Sequence, residues 1–171
     1  MDALTVNGIV LSAMPIGEYD RRLEILTAEI GRISVFARGA RRPSSPLVSS
    51  SRAFAFGEFH LFQGRNSYTL SNSRIAEYFT PLSYDVSLTY YGFYFLELAR
   101  YFSRENVPAS DELTLLYYSL KALLKESFDN SLVRSIFELK MLSLAGVCPR
   151  ADKITDKGSR FSIGRDLDPS T

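Results

Sequence analysis

Residues 31–76 contain seven arginines (Arg32, Arg38, Arg41, Arg42, Arg52, Arg65 and Arg74) and one acid, Glu58, a net charge of +6. The remainder carries 13 basic and 18 acidic residues, a net of −5. All five lysines fall at or after Lys121, so the basic stretch is wholly arginine. A guanidinium matches phosphate with a planar fork and stacks on bases, which an ammonium cannot do. A solvated charged face, the bland alternative, would mix both signs. Phe36, Phe54, Phe56, Phe59, Tyr68 and Tyr78 are interleaved with these arginines. Single-stranded nucleic acid is held by that combination, cations for phosphates and flat rings for bases. Arg38, Arg41, Arg42, Arg52 and Arg65 are the candidate phosphate contacts, joined by Arg32 and Arg74. Rings also fill barrel interiors: Phe54, Phe56 and Phe62 are assigned to the core, while Phe36, Phe59 and Tyr68 stay open.

Catalytic groups are scarce. The single histidine, His60, lies among alternating aromatics, where a structural or surface role outweighs that of a general base. One cysteine, Cys148, and one histidine cannot assemble a three- or four-ligand transition-metal site. Neither a phosphate-loop nor a nucleophile-elbow motif occurs, and Gly8, Gly17 and Gly31 are spaced wrongly for a dinucleotide fingerprint. The acid pairs Glu18/Asp20 and Asp111/Glu112 sit at a turn and at a helix start. No catalytic residue, metal or cofactor is assigned, and the chain is not expected to be an enzyme.

The elements that must position the arginines read as strands. Residues 4–11 are apolar and β-branched and stop at the breaker Met14-Pro15-Ile16-Gly17. Residues 22–28 alternate, with Leu23, Ile25 and Thr27 opposite Arg22, Glu24 and Leu26. Gly31 turns the chain, and Ile33, Val35 and Ala37 then oppose Arg32, Ser34 and Phe36. Residues 54–62 set Phe54, Phe56, Glu58, His60 and Phe62 against Ala55, Gly57, Phe59 and Leu61, with Gly57 marking a bulge or sharp bend. Gly64-Arg65-Asn66-Ser67 forms a turn, and Tyr68 opens a last strand. Five short strands in about 75 residues fit a small closed barrel. The long irregular stretch 39–51, with Arg41 and Arg42 at its base, is of a kind that is functional or disordered.

Beyond Tyr78 the period becomes helical. Thr80-Pro81 reads as a cap and a first-turn proline. Leu88, Tyr91, Phe95, Leu98 and Phe102 recur at helical spacing, and Tyr90, Tyr94 and Tyr101 cover a second face, more than one side can bury. Left uncovered, that face would be an apolar patch of roughly several hundred Å². Ser110 is expected to cap a second helix with the stripe Leu113, Leu116, Leu120, Leu123 and Leu124. A third helix begins near Asn130, carries Val133, Phe137, Met141 and Leu144, and stops at Gly146. The expected organisation is a nucleic-acid-binding barrel over 1–79, a helical domain over 80–148, and an irregular polar tail, or a truncated continuation of the helices, over 149–171.

The chain is 46% hydrophobic, ample for a packed core and a poor match to disorder at a net charge of +1. No apolar run reaches the roughly 18 residues a membrane span needs, and Met1-Asp2-Ala3-Leu4 lacks the basic start of a secretory signal. A lone cysteine fits a reducing, cytoplasmic setting.

The ordered series Gly17-Glu18-Tyr19-Asp20-Arg21-Arg22-Leu23-Glu24-Ile25-Leu26-Thr27, Gly31-Arg32-Ile33-Ser34 and Ala37-Arg38-Gly39-Ala40-Arg41-Arg42-Pro43 resembles the N-terminal half of the RecO family. The likeness continues through Phe59-His60-Leu61-Phe62-Gln63-Gly64-Arg65, Tyr68-Thr69-Leu70-Ser71 and the helical segment Phe137-Glu138-Leu139-Lys140-Met141-Leu142, covering about residues 1–148. The resemblance implies a five-stranded OB-fold followed by an all-α domain, and a nucleoid-associated recombination mediator. Such proteins bind single- and double-stranded DNA, anneal strands, and load recombinase with RecR on DNA coated by the single-strand-binding protein, whose C-terminal tail is a partner. Two departures stand out. Ser44-Ser45-Pro46 follows the Arg-Arg-Pro where the family often has further basic residues, and Ala151 replaces a second zinc-binding cysteine after Cys148, so no zinc is expected. The family's usual length makes a truncated chain the expected reading of the abrupt polar end. Without the resemblance, an RNA-binding module and a protein-interaction module using the tyrosine-rich helix remain open.

Overall fold

The computed structural model describes residues 2–147 and the backbone of two further short strands, β6 (Ile154–Asp156) and β7 (Ser159–Phe161), which pair antiparallel. The zinc expectation at Cys148 and Ala151 lies outside the described residues.

Five strands, β1 (Ala3–Ile16), β2 (Asp20–Thr27), β3 (Gly31–Ala37), β4 (Phe56–Gln63) and β5 (Tyr68–Glu77), close into a barrel in the order β1-β2-β3-β5-β4, the OB topology. Closure needs a strand that serves two neighbours, and β1 does so. It pairs with β4 from Ala3 to Ile9, kinks at an irregularity between Val10 and Ser12, and pairs with β2 out to Ile16. β1 therefore runs through Met14-Pro15 instead of stopping there. Pro15 falls where β1 has only β2 as a partner, the edge setting in which a strand accepts proline. β3 completes the ring against β5 in parallel, Val35 opposite Tyr68.

Alternation sets the interior. Leu23 and Ile25 of β2 and Ile33, Val35 and Ala37 of β3 are buried, as their spacing predicts. The core assignment on β4 is reversed: Ala55, Phe59 and Leu61 are buried, Phe62 is 40% exposed, and Phe54 and Phe56 are half-buried outside the barrel. The reason is packing: Phe54 meets Phe93 edge-on at 4.9 Å, and Phe56 meets Tyr117 at 4.6 Å. Aromatic residues stand on both phases of this stretch, so alternation alone leaves the phase of β4 open. Gly57 does sit at a register shift between β4 and β5.

The stretch between β3 and β4 is ordered, built from consecutive turns with bonds such as Arg42 N–H to Gly39 O (3.0 Å) and Ser51 N–H to Leu47 O (3.0 Å). Leu47 joins the barrel core, and Arg21 ties the segment down through Ser51 O (3.0 Å) and Ser51 Oγ (2.9 Å).

Thr80-Pro81 starts only a 3-10 turn, Thr80–Tyr84; Asp85, in extended conformation, ends it and caps the first true helix by accepting from Leu88 N–H (2.9 Å). Three helices follow: α1 (Val86–Phe102), α2 (Ser110–Leu123) and α3 (Asn130–Leu144). Ser110 is the first helical residue and not the cap, which is Ala109, with no side-chain bond. Leu113, Leu116, Leu120 and Leu123 are buried as spaced, as are Val133, Phe137 and Met141, while Leu144 is 41% exposed. Phe95 stacks on Phe137 at 4.2 Å between α1 and α3. Ile9, Leu11 and Leu26 of the barrel belong to the same buried cluster as the helices, which explains why outward-facing Leu26 is fully buried. Tyr84 of the 3-10 turn and Val86, Tyr90 and Tyr101 of α1 are exposed, whereas the Tyr94 hydroxyl donates to Glu138 of α3 at 2.6 Å.

Candidate nucleic-acid interface

The outer faces of β2 and β3 set Arg22 opposite Phe36, Glu24 opposite Ser34, and Leu26 opposite Arg32. In this topology the face of the second and third strands, with the loops joining strands 1–2 and 4–5, forms the ligand surface. A cleft of about 670 Å³ lies there, with Arg22, Arg32 and Arg65 as its cations and Phe36 and Tyr68 as its rings. The β4–β5 turn forms one wall. The connection after α1, with Glu105 and Asn106, forms another. That connection is clamped to the barrel: Arg32 N–H donates to Arg104 O (3.0 Å), and Gly31 bridges to Glu105. Gly31 has φ +71°, and a Cβ there would stand 2.3 Å from Val107 O, so only glycine permits this approach.

Arg22 donates from Nε to Ser34 Oγ at 2.9 Å and remains exposed. Arg32 is more enclosed: its Nη1 stands 4.0 Å from Glu24 Oε2, and its buried Nε has no partner. Arg65 projects from the turn, exposed.

The other sequence-predicted arginines stand in separate places. Arg38 follows β3, exposed, on the outward phase of Arg32, Ser34 and Phe36. Arg41 and Arg42 sit beside the β1–β2 turn, where Arg41 bonds Gly17 O at 3.2 Å and the Arg42 guanidinium lies 5.0 Å from the Tyr19 ring centre. Arg52 is on the rim of a second cavity of about 480 Å³, with Phe54, Tyr78 and Phe93. Burial, and then the charges of Arg52 and Arg41, lower the Arg21 guanidinium from its ordinary value, a sign that positive fields overlap on this shoulder. Arg74 lies exposed on β5, opposite Glu58 of β4 and away from the cleft. Thus Arg32 and Arg65 come together with two of the three open aromatics; the third, Phe59, is core. Arg22 was missed because it lies outside the arginine-rich stretch, although alternation in β2 already placed it outward.

His60 is accounted for on the surface of β4: Nδ1 lies 3.0 Å from Thr5 Oγ1 and Nε2 3.2 Å from Glu58 Oε1. Among the described residues, no three His, Cys, Asp or Glu side chains group as metal ligands, and no helix is long and apolar enough to cross a membrane.

Two family models match the chain: Recombination protein O N terminal over residues 1–79 and Recombination protein O C terminal over residues 83–167. Among curated relatives, DNA repair protein RecO of Acetivibrio thermocellus is 33% identical over 159 residues, 93% of this chain and 63% of that protein. The protein of the same name from Alkaliphilus metalliredigens is 31% identical over 159 residues, 93% of this chain and 65% of its own. That from Caldicellulosiruptor bescii is 35% identical over 146 residues, covering 85% and 59%. The chain therefore spans less than two thirds of the length of each of these relatives.

Proposed function

The chain belongs to the RecO family, and on that premise we propose that its barrel cleft holds single-stranded DNA in the service of recombinational repair. The observation that carries this reading is the convergence of Arg22, Arg32 and Arg65 with Phe36 and Tyr68 in one cleft on the β2–β3 face. Bases stack on the two rings, and the guanidinium groups take the phosphates between them. Arg38, Arg41 and Arg42 continue the phosphate track toward the β1–β2 turn, and Arg52 adds to the positive field on that shoulder. Nothing in this arrangement calls for bond-making chemistry, so the chain acts by binding and presenting DNA, in the cytoplasm and on the nucleoid.

The relatives' shared name supports a role in DNA repair. In the same reading the chain contributes to annealing complementary strands, and to loading recombinase with RecR where the single-strand-binding protein coats DNA and offers its C-terminal tail. Double-stranded DNA engages the arginine shoulder through phosphate alone.

Titration of labelled single-stranded DNA and RNA of equal length at two salt concentrations tests the proposal. DNA affinity should fall with salt with a log–log slope of about −0.7 per phosphate neutralised. Replacing Arg41 and Arg42 together with alanine should flatten it by roughly 1 to 1.5. Salt-independent binding, or a strong preference for RNA, would overturn it.

A further inference from the structure

Arg100, on α1, does not line the cleft, yet it pairs with Glu24, a carboxylate on the outward face of β2 between Arg22 and Arg32. Its guanidinium grips Glu24 with both prongs: Nε bonds Oε2, and Nη2 bonds Oε1 at 3.2 Å. Glu24 Oε2 is also the nearest carboxylate oxygen to the Arg32 guanidinium, at 4.0 Å, beyond hydrogen-bond reach. Arg32 thus keeps its donors uncommitted, including a buried Nε with no partner. The Glu24 carboxyl is held below the ordinary glutamate range, chiefly by the hydrogen bond from Arg100 and then by the charges of Arg100, Arg32 and Arg22, against the opposing effect of burial.

An unclaimed carboxylate here would do two things. It would draw Arg32 from the present 4.0 Å ion pair into a closer, hydrogen-bonded one, and it would set an uncompensated negative charge beside the phosphate track. We infer that Arg100 is a positioning residue for nucleic-acid binding: by taking both oxygens of Glu24, it leaves the Arg32 guanidinium for a phosphate. The helical part thereby sets the charge of the barrel's cleft without touching the ligand. This inference rests on the cleft being the DNA site.

The test is a double-mutant cycle on the full chain, read as affinity for labelled oligothymidine at low salt, with a melting curve for every variant. Arg100→Gln should weaken binding about tenfold, since it frees the carboxylate. Arg100→Lys, which keeps the charge and loses the fork, should fall between. Glu24→Gln should bind roughly two- to threefold more tightly than the parent, because a competitor for Arg32 is gone. Glu24→Gln combined with Arg100→Gln should recover most of the loss. A purely structural pair would behave otherwise, with both single variants weakened alike and no recovery in the double; that pattern overturns the inference while the DNA reading stands. If the parent itself fails to bind oligothymidine, both fall together.

Discussion

Phe36 and the cleft arginines would lose different things on truncation, and the difference is measurable. Phe36→Ala removes a stacking surface and should cost about 1 to 3 kcal/mol of oligonucleotide affinity with the salt slope unchanged. Arg65→Ala removes a cation and should flatten the slope by about 0.7. Equal slopes for both variants would mean that Arg65 meets no phosphate. Glu24 gives a separate test through pH. Its folded carboxyl is lowered, foremost by the Arg100 hydrogen bond, so its contribution to stability is full above the unfolded value and is lost as pH falls through the folded one. Melting temperature against pH should therefore drop more steeply for the parent than for Glu24→Gln below about pH 4. Parallel curves would show that the pair adds nothing to folding. At this scale the sequence was informative about type and less so about address. That Arg32 and Arg65 share a cleft depends on β3 pairing with β5 in parallel, a long-range contact that no local spacing reveals. Arg74, identical in type, lies away from the cleft because β5 meets β3 only at Tyr68 and Thr69 and beyond them pairs with β4 alone.

Elements were legible where one face is wet. β3 alternates buried Ile33, Val35 and Ala37 with half-exposed Arg32, Ser34 and Phe36, and its phase is plain from polarity. The leucine stripe of α2 is plain for the same reason. β4 was legible in period and misleading in phase, because Phe54 and Phe56, packed on Phe93 and Tyr117 of the helices, and the exposed Phe62 make the outward phase as aromatic as the inward one. Stability separates the two faces. Phe59→Ala, at a fully buried ring, should cost about 3 to 5 kcal/mol. Phe62→Ala, at a ring 40% exposed, should stay within about 0.5 kcal/mol. Urea unfolding of both variants checks the assignment, and a larger loss at Phe62 would restore the opposite phase. The 3-10 turn at Thr80–Tyr84 escaped the sequence reading because a proline start is equally good for a long helix. What ends it is the extended backbone at Asp85, whose side chain then caps α1.

Across the whole molecule, barrel and helices share one buried cluster through Ile9, Leu11 and Leu26, so the cleft's far wall is carried by the helical part. The charge asymmetry visible in the sequence, +6 over residues 31–76 against −5 elsewhere, resolves into a cleft, a shoulder around Tyr19 and Arg21, and the isolated Arg74. The tyrosines that outnumber one face of α1 are divided as well: Tyr90 and Tyr101 stand 79% and 80% exposed, and Tyr94 is tied to Glu138. Exposed rings on α1 and cleft rings on the barrel are thus two candidate surfaces for a base to stack on, and they lie on different peptides. Photo-crosslinking of an oligonucleotide carrying 5-iodouracil, followed by mass spectrometry of the digested protein, distinguishes them directly. With DNA in the barrel cleft, crosslinks fall on the peptides containing Phe36 and Tyr68 and are lost in the Phe36→Ala, Tyr68→Ala double variant. Crosslinks confined to Tyr84, Tyr90 or Tyr101 of the helical part, unaffected by that variant, would contradict the cleft as the DNA site.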